Sequence, residues 1–126
     1  LRDYGQFLGT GFQIIDDVLD FRGDEGELGK PVGSDLRDGI VTLPVLYYLR
    51  AHPDDERLAA VMRDGRDDGL VREVVDAVCE SGAVTQAIDR AQSFCVQGQE
   101  ALSAVPEGEP RTIMHALADY TICRKK

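Results

Sequence analysis

The chain has 126 residues, of which 43% are hydrophobic and 29% are charged, and its formal net charge is −9. This composition is typical of one globular domain or part of one, and the excess of acid argues against nucleic acid or an anionic membrane surface as a partner. No apolar run approaches the ~20 residues that a membrane-spanning helix requires.

An opening helix is predicted over residues 1–22. Its first residues already follow a helical pattern, with no initiator Met and no capping residue before them, which suggests a chain cut from a longer one. Apolar side chains cover most of the circumference of this helix. Such a helix is expected to be central, with more neighbours than the short helices that follow comfortably supply.

Three carboxylates interrupt the apolar second half of this helix: Asp16, Asp17 and Asp20. Helical spacing places Asp16 and Asp20 one turn apart on one face, with Asp17 at its flank. The same face carries small or polar residues earlier in the helix: Gly5, Gly9 and Gln13. Like charges one turn apart repel, and no Lys or Arg stands three or four positions from Asp16. A divalent cation with oxygen ligands would supply the missing positive charge; the alternative is a solvated acidic helix face.

The rest of the chain predicts a loop and further helices. Glycines and Pro31 exclude regular structure from about residue 23 to 34, and the position of this loop beside the acid cluster favours a functional role. Thr42 is a candidate N-cap for the next helix. Helical patterns then follow in this order: 41–51, a short helix opening at 54–56, a helix from 70 to Gly82, 84–105 and a last helix that starts at Pro110. No alternating strand pattern is present, so the predicted fold class is all-α.

The three cysteines match neither a zinc-ligand spacing nor a disulfide framework: Cys79, Cys95 and Cys123. They are expected to be buried, reduced thiols in a cytoplasmic protein. The sequence also has no signal-peptide pattern.

Residues 12–44, FQIIDDVLDFRGDEGELGKPVGSDLRDGIVTLP, place a DDxxD motif before GKPxGxD and DLRxGxxTLP. This order closely resembles the second aspartate-rich region of the trans-isoprenyl (polyprenyl) diphosphate synthases. The resemblance covers essentially the whole chain, but only the C-terminal portion of a family member. It implies a helical bundle in which residues 1–126 form the C-terminal part of a single isoprenoid synthase domain, without its first aspartate-rich motif.

The resemblance implies a chain-elongating prenyltransferase that works as a homodimer with Mg²⁺ as cofactor. In that family, two facing DDxxD motifs hold the Mg²⁺ ions that bind an allylic diphosphate. Pyrophosphate leaves, the double bond of isopentenyl diphosphate attacks the allylic cation, and proton loss gives a longer trans-polyprenyl diphosphate. Since these 126 residues contain one of the two motifs, the chain alone is expected to be inactive.

Roles for individual residues follow from the same resemblance. Asp16 matches a direct Mg²⁺ ligand, while Asp17 and Asp20 match carboxylates that act mainly through metal-bound water. Lys30 matches a lysine that reaches the allylic diphosphate, and Gln13 matches a glutamine that faces the reacting carbons. Three further matches are an aromatic neighbour of the site, a loop aspartate near it and a C-terminal basic residue over the second diphosphate: Phe12, Asp35 and Arg124.

Each of these matches also has a purely structural alternative. Lys30 would be an exposed loop lysine, Gln13 a buried amide and Phe12 a core side chain. Asp35 would cap a turn, and Arg124 would belong to a solvated basic tail. One departure from the family is Ile40, which stands where many relatives have a lysine, so that metal or water would have to cover the phosphate charge there.

Two other functions compete with the prenyltransferase hypothesis. A non-catalytic regulatory subunit or interaction module of the same fold has no reason to keep uncompensated carboxylates at Asp16, Asp17 and Asp20. A class I terpene cyclase would need an NSE-type second metal motif, and the sequence contains none.

Overall fold

The computed structural model of the chain describes residues 1–22 and 32–120. The regular elements in these ranges are helices, which confirms the predicted all-α class. In chain order they are α1 (Arg2–Arg22), α2 (Ser34–Arg37), α3 (Leu43–Ala51), α4 (Glu56–Arg63), α5 (Asp68–Glu80), α6 (Ala83–Ala101), a 3₁₀ turn (Leu102–Ala104) and α7 (Glu109–Ala118). No helix in the described ranges is long and apolar enough to cross a membrane.

The chain forms two compact units, one of residues 1–15 with 88–126 and the other of residues 16–87. In the first unit, the buried Tyr4 hydroxyl donates a hydrogen bond of 2.7 Å to the Met114 carbonyl. The Phe7 ring stacks on Phe94 with ring centroids 6.3 Å apart. A Cβ atom at Gly98 would lie 3.4 Å from the Phe7 Cβ, so α1 and α6 lie close together at this position.

The second unit is built around α5, whose inward face is a row of valines. Val71, Val74 and Val78 are at most 1% exposed, as the apolar spacing of this helix predicts. Acidic residues cap two of the helices of this unit. The Asp55 carboxylate accepts the Arg57 and Leu58 amides at the start of α4, and Asp67 accepts the Leu70 amide at the start of α5.

The structure corrects several predicted boundaries. Residues 34–37 form α2, a short helix whose first residue the sequence placed in the loop. Thr42 occupies the N-cap position of α3 as predicted, but its side chain makes no capping hydrogen bond. Helix α6 ends at Ala101 and continues as a 3₁₀ turn, so the predicted helix was a few residues too long.

The cysteine predictions were wrong in two respects. Cys79 is a free thiol, but it is exposed and not buried. Cys95 is buried, but it is disulfide-bonded and not reduced. Cys123 lies outside the described residues.

Candidate active site

The three carboxylates of the DDxxD motif differ sharply in their surroundings. They lie in the last two turns of α1, where Asp16 is exposed, Asp17 is half-buried and Asp20 is 2% exposed. The predicted helix therefore forms, and it presents Asp16 to solvent. Asp20, one turn later, faces the interior of the second unit.

Asp20 is bound to the chain just before and within α2. Its Oδ1 accepts the Ser34 amide at 3.0 Å, and its Oδ2 accepts the Asp35 amide at 3.1 Å. The Asp20 carbonyl accepts a third hydrogen bond, from the Gly33 amide at 2.9 Å. Three consecutive backbone amides are thus satisfied by one residue, so the buried carboxylate is not left without donors.

Gly33 makes this arrangement possible because of its conformation and its size. Its φ of +82° is left-handed, a region that side chains other than glycine rarely adopt. A Cβ atom there would lie 2.9 Å from Val75 Cγ2 and 3.1 Å from Val71 Cγ1. The chain therefore passes against α5 and turns into α2 at a position that only glycine fits.

Asp35 joins this local network through its backbone. Its amide donates to Asp20, and its carbonyl accepts the Ile40 amide at 2.8 Å. The side chain of Asp35 is half-buried, and that of Ile40 is 49% exposed. Ile40, which stands where the resemblance to the family predicts a lysine, thus places an apolar side chain at the surface.

Gln13 and Phe12 are described within the first unit. Gln13 is exposed, so it is not the buried amide of its structural alternative. It lines an open groove of about 700 Å³ with Gly9, Thr10 and Phe94. Phe12 is 55% exposed, so the alternative of core packing is wrong for this residue in the described structure.

The glycines that share a face with Gln13 border open space. A Cβ atom at Gly5 or Gly9 would meet nothing within 4 Å. Room therefore exists along this face of α1. The metal and substrate roles of Gln13, Asp16, Asp17 and Asp20 stay predictions, and Lys30 and Arg124 lie outside the described residues.

The donor chemistry of the motif suits Mg²⁺ in part. Asp16 and Asp17 supply carboxylate oxygens, the ligand type that Mg²⁺ prefers, on a part of α1 that solvent reaches. Within residues 1–22 and 32–120, however, no group of three or more His, Cys, Asp or Glu side chains is arranged to hold a metal ion. The described residues fit one wall of a metal site, to which other oxygen ligands would have to be added.

Sequence reasoning missed the role of Asp20 in holding Gly33, Ser34 and Asp35. The signal available was weak. A glycine followed by Ser-Asp is a common helix start, but the acceptor for the amides lies 14 and 15 positions earlier in the chain. Nothing in the local pattern indicates a partner at that distance.

Comparisons with known proteins agree with the resemblance of the motif. The family model described as polyprenyl synthetase matches residues 1–78. The chain is 37% identical to the octaprenyl diphosphate synthase of Haemophilus influenzae and 38% identical to the nonaprenyl diphosphate synthase of Mycobacterium tuberculosis, in each case over 98% of the chain and 38% of the relative. It is 34% identical to heptaprenyl diphosphate synthase component 2 of Bacillus subtilis, over 97% of the chain and 35% of that relative.

Solved structures show the same fold. The heptaprenyl diphosphate synthase of Staphylococcus aureus aligns with a TM-score of 0.87 and 31% identity, over 99% of this chain and 39% of that one. The polyprenyl synthase of Caulobacter crescentus, solved with calcium and isoprenyl diphosphate, aligns with a TM-score of 0.83 and 32% identity, over 99% of this chain and 39% of that one. The chain therefore spans about two-fifths of the length of the proteins it matches.

Proposed function

The chain belongs to the polyprenyl synthetase family, and we propose that it serves a prenyltransferase that joins an allylic diphosphate to isopentenyl diphosphate. The observation that carries the proposal is the exposed Asp16 on α1, one turn before an Asp20 that is buried and engaged by backbone amides. A solvated acidic face would leave both carboxylates in water. Here Asp20 is fixed by hydrogen bonds in the interior, while Asp16 is exposed to solvent.

The proposed reaction breaks the C–O bond of the allylic diphosphate and forms a new C–C bond. Pyrophosphate leaves, the double bond of isopentenyl diphosphate supplies the electron pair, and a proton is lost from the adduct to restore a double bond. Bound Mg²⁺ would neutralise the charge of the leaving diphosphate, which is otherwise a poor leaving group. The Caulobacter relative, solved with calcium and isoprenyl diphosphate, supports a divalent cation and a diphosphate as ligands.

The residues of this chain would divide the work as follows. Asp16 would hold the cation directly, and Asp17 would act mainly through metal-bound water. Gln13, on the groove side of α1, orients the allylic carbons, and Phe12 lies beside them. Lys30 and Arg124, outside the described residues, contribute positive charge to the two diphosphates.

We further propose that the catalytic site is completed by residues that these 126 do not include, and that the protein works in the cytoplasm as a homodimer. The name of the Bacillus relative, component 2, supports a second possibility, in which the partner is a different subunit. The runner-up function is a non-catalytic subunit of the same fold.

Product formation from labelled isopentenyl diphosphate tests the proposal. The complete gene product that contains these residues is incubated with allylic diphosphates of increasing length, with Mg²⁺ and with EDTA. We expect a longer polyprenyl diphosphate only with Mg²⁺. A protein that forms no product alone, yet raises the activity of an added synthase subunit, would establish the runner-up function.

A further inference from the structure

We propose that Asp20 is a positioning residue, whose carboxylate fixes the backbone of residues 33–35 against the end of α1, and that it does not hold the cation. The effect on turnover rests on the proposed function. The structural part of the inference does not, because it follows from hydrogen bonds and burial alone.

The start of α2 needs an acceptor that its own N-cap does not supply. Gly33 is the N-cap residue and has no side chain to accept an amide proton, so no side-chain capping bond forms there. The first amides of a helix have no partner within the helix. Asp20 meets this need from 14 positions earlier, with Oδ1 at 3.0 Å from the Ser34 amide and Oδ2 at 3.1 Å from the Asp35 amide.

The geometry uses both oxygens of an ionised carboxylate. Hydrogen bonds from backbone amides to a charged carboxylate are stronger than those between neutral groups. An asparagine of the same shape has one oxygen and one NH₂ group, so it would place a donor against one of the two amides. Charge and shape are therefore both required at position 20, although the residue is only 2% exposed.

The segment held by Asp20 is also held from its other side. Gly33 packs against Val71 and Val75 of α5, at distances that exclude a Cβ atom. Its amide donates to the Asp20 carbonyl at 2.9 Å. Residues 33–35 are thus clamped between the last turn of α1 and the middle of the second unit, and the backbone of Asp35 takes its position from Asp20.

The contrast with Asp16 separates the two roles. Asp16 lies one turn earlier on the same helix and is exposed, whereas each Asp20 oxygen accepts a backbone amide in the interior. A cation that bound Asp20 would have to reach a carboxylate that is almost wholly covered. We therefore assign cation binding to Asp16, which solvent reaches, and positioning of the backbone of residues 33–35 to Asp20.

Hydrogen exchange read by mass spectrometry on the complete gene product tests the structural part. Asp20→Asn and Asp20→Ala are compared with Asp16→Asn, which alters a carboxylate on the same helix. We expect exchange in the peptide covering residues 33–38 to quicken about tenfold in both Asp20 variants, since two hydrogen bonds are lost or weakened. Asp16→Asn should leave the exchange rate of this peptide unchanged.

Exchange that stays at the wild-type rate in folded Asp20 variants would overturn the inference. If Asp20→Ala does not fold, as judged by circular dichroism, the isosteric Asp20→Asn decides the question. This comparison stands even if the protein transfers no prenyl group, so a failure of the proposed function and a failure of this inference are distinguishable.

The dependence of turnover on Mg²⁺ tests the functional part. We expect Asp20→Asn to lower kcat while the Mg²⁺ concentration for half-maximal rate stays that of the wild type. Asp16→Asn should instead raise that concentration or abolish turnover. If Asp20→Asn raised the Mg²⁺ concentration for half-maximal rate as much as Asp16→Asn does, Asp20 would bind the cation and the assignment would be overturned.

Discussion

Gly33 lies so close to Val75 that a Cβ atom at position 33 would come within 2.9 Å of Val75 Cγ2. The backbone at Gly33 is also left-handed, with φ of +82°. Two separate physical reasons thus require glycine at this position. Both concern the segment that leads from the glycine-rich loop into α2.

Replacing Gly33 tests how much this close contact contributes to stability. Gly33→Ala is expected to lower the free energy of unfolding by about 3 kcal/mol, the sum of left-handed strain and overpacking. Gly82→Ala is the matched control, because Gly82 has φ of +87° but a Cβ atom there would meet nothing within 4 Å. Gly82→Ala should lower the free energy of unfolding by about 1–2 kcal/mol. Equal losses in urea denaturation would show that the contact with α5 contributes nothing.

The open glycine face of α1 predicts opposite effects on stability and activity. Gly9→Ala should stabilise the helix by about 0.5–1 kcal/mol, because glycine is a poor helix former and the new methyl group meets nothing within 4 Å. Turnover should fall, since Gly9 and Gln13 line the same groove. Thermal melting and product formation measure the two effects. Unchanged turnover in a stabilised variant would exclude the groove as a substrate surface.

Gly98→Ala is the contrasting variant on the facing helix. A Cβ atom at position 98 would lie 3.4 Å from the Phe7 Cβ, at the close limit of ordinary van der Waals contact. The gain in helix propensity should therefore be reduced or lost at this site.

Asp55 should make the stability of the second unit depend on pH. Hydrogen bonds from the Arg57 guanidinium and the Tyr48 hydroxyl hold the pKa of this carboxyl well below its ordinary value of 3.8. The folded state therefore binds this proton less readily than the unfolded state. The stabilisation is fully present above the ordinary pKa and is lost as pH falls below it.

We expect Asp55→Asn to lower the free energy of unfolding by about 1 kcal/mol at neutral pH, because the charged partner of Arg57 and Tyr48 is removed. This difference in the free energy of unfolding should shrink in urea titrations repeated at about pH 3, because the stabilisation from ionised Asp55 in the wild type begins to be lost there. Asp67→Asn, at the cap of α5, is the control for a change of cap without the Tyr48 contact. A deficit that does not vary with pH would contradict this account of Asp55.

The sequence predicted the long elements well because their apolar spacing is local. The predicted range of α1 agrees with Arg2–Arg22, and the valine row of α5 was evident from its period. The segment around Gly33 was different. Its helix has four residues, and what stabilises its start is a carboxylate 14 positions away together with two valines of α5. Contacts of that separation leave no periodic signal.

The motif could be predicted from the sequence, but the burial of its individual carboxylates could not. DDxxD followed by GKPxGxD identified the relevant turn of α1, and the structure shows that turn as a helix. The spacing alone made Asp16 and Asp20 equivalent members of one face. Burial separates them, because Asp20 points toward the amides of α2 while Asp16 stays in solvent.

The measurement that tests the central claim most directly is prenyl transfer by Asp16→Ala in the complete gene product. Asp89→Ala, which removes another exposed acid from a helix, is the control for the loss of charge. Because Asp16 is exposed, its removal should leave the melting temperature unchanged. Transfer should fall by about 10³-fold or more, since the proposed cation would lose a direct ligand, while Asp89→Ala keeps its activity. Wild-type turnover in Asp16→Ala would contradict the account and leave Asp16 as an ordinary solvated carboxylate.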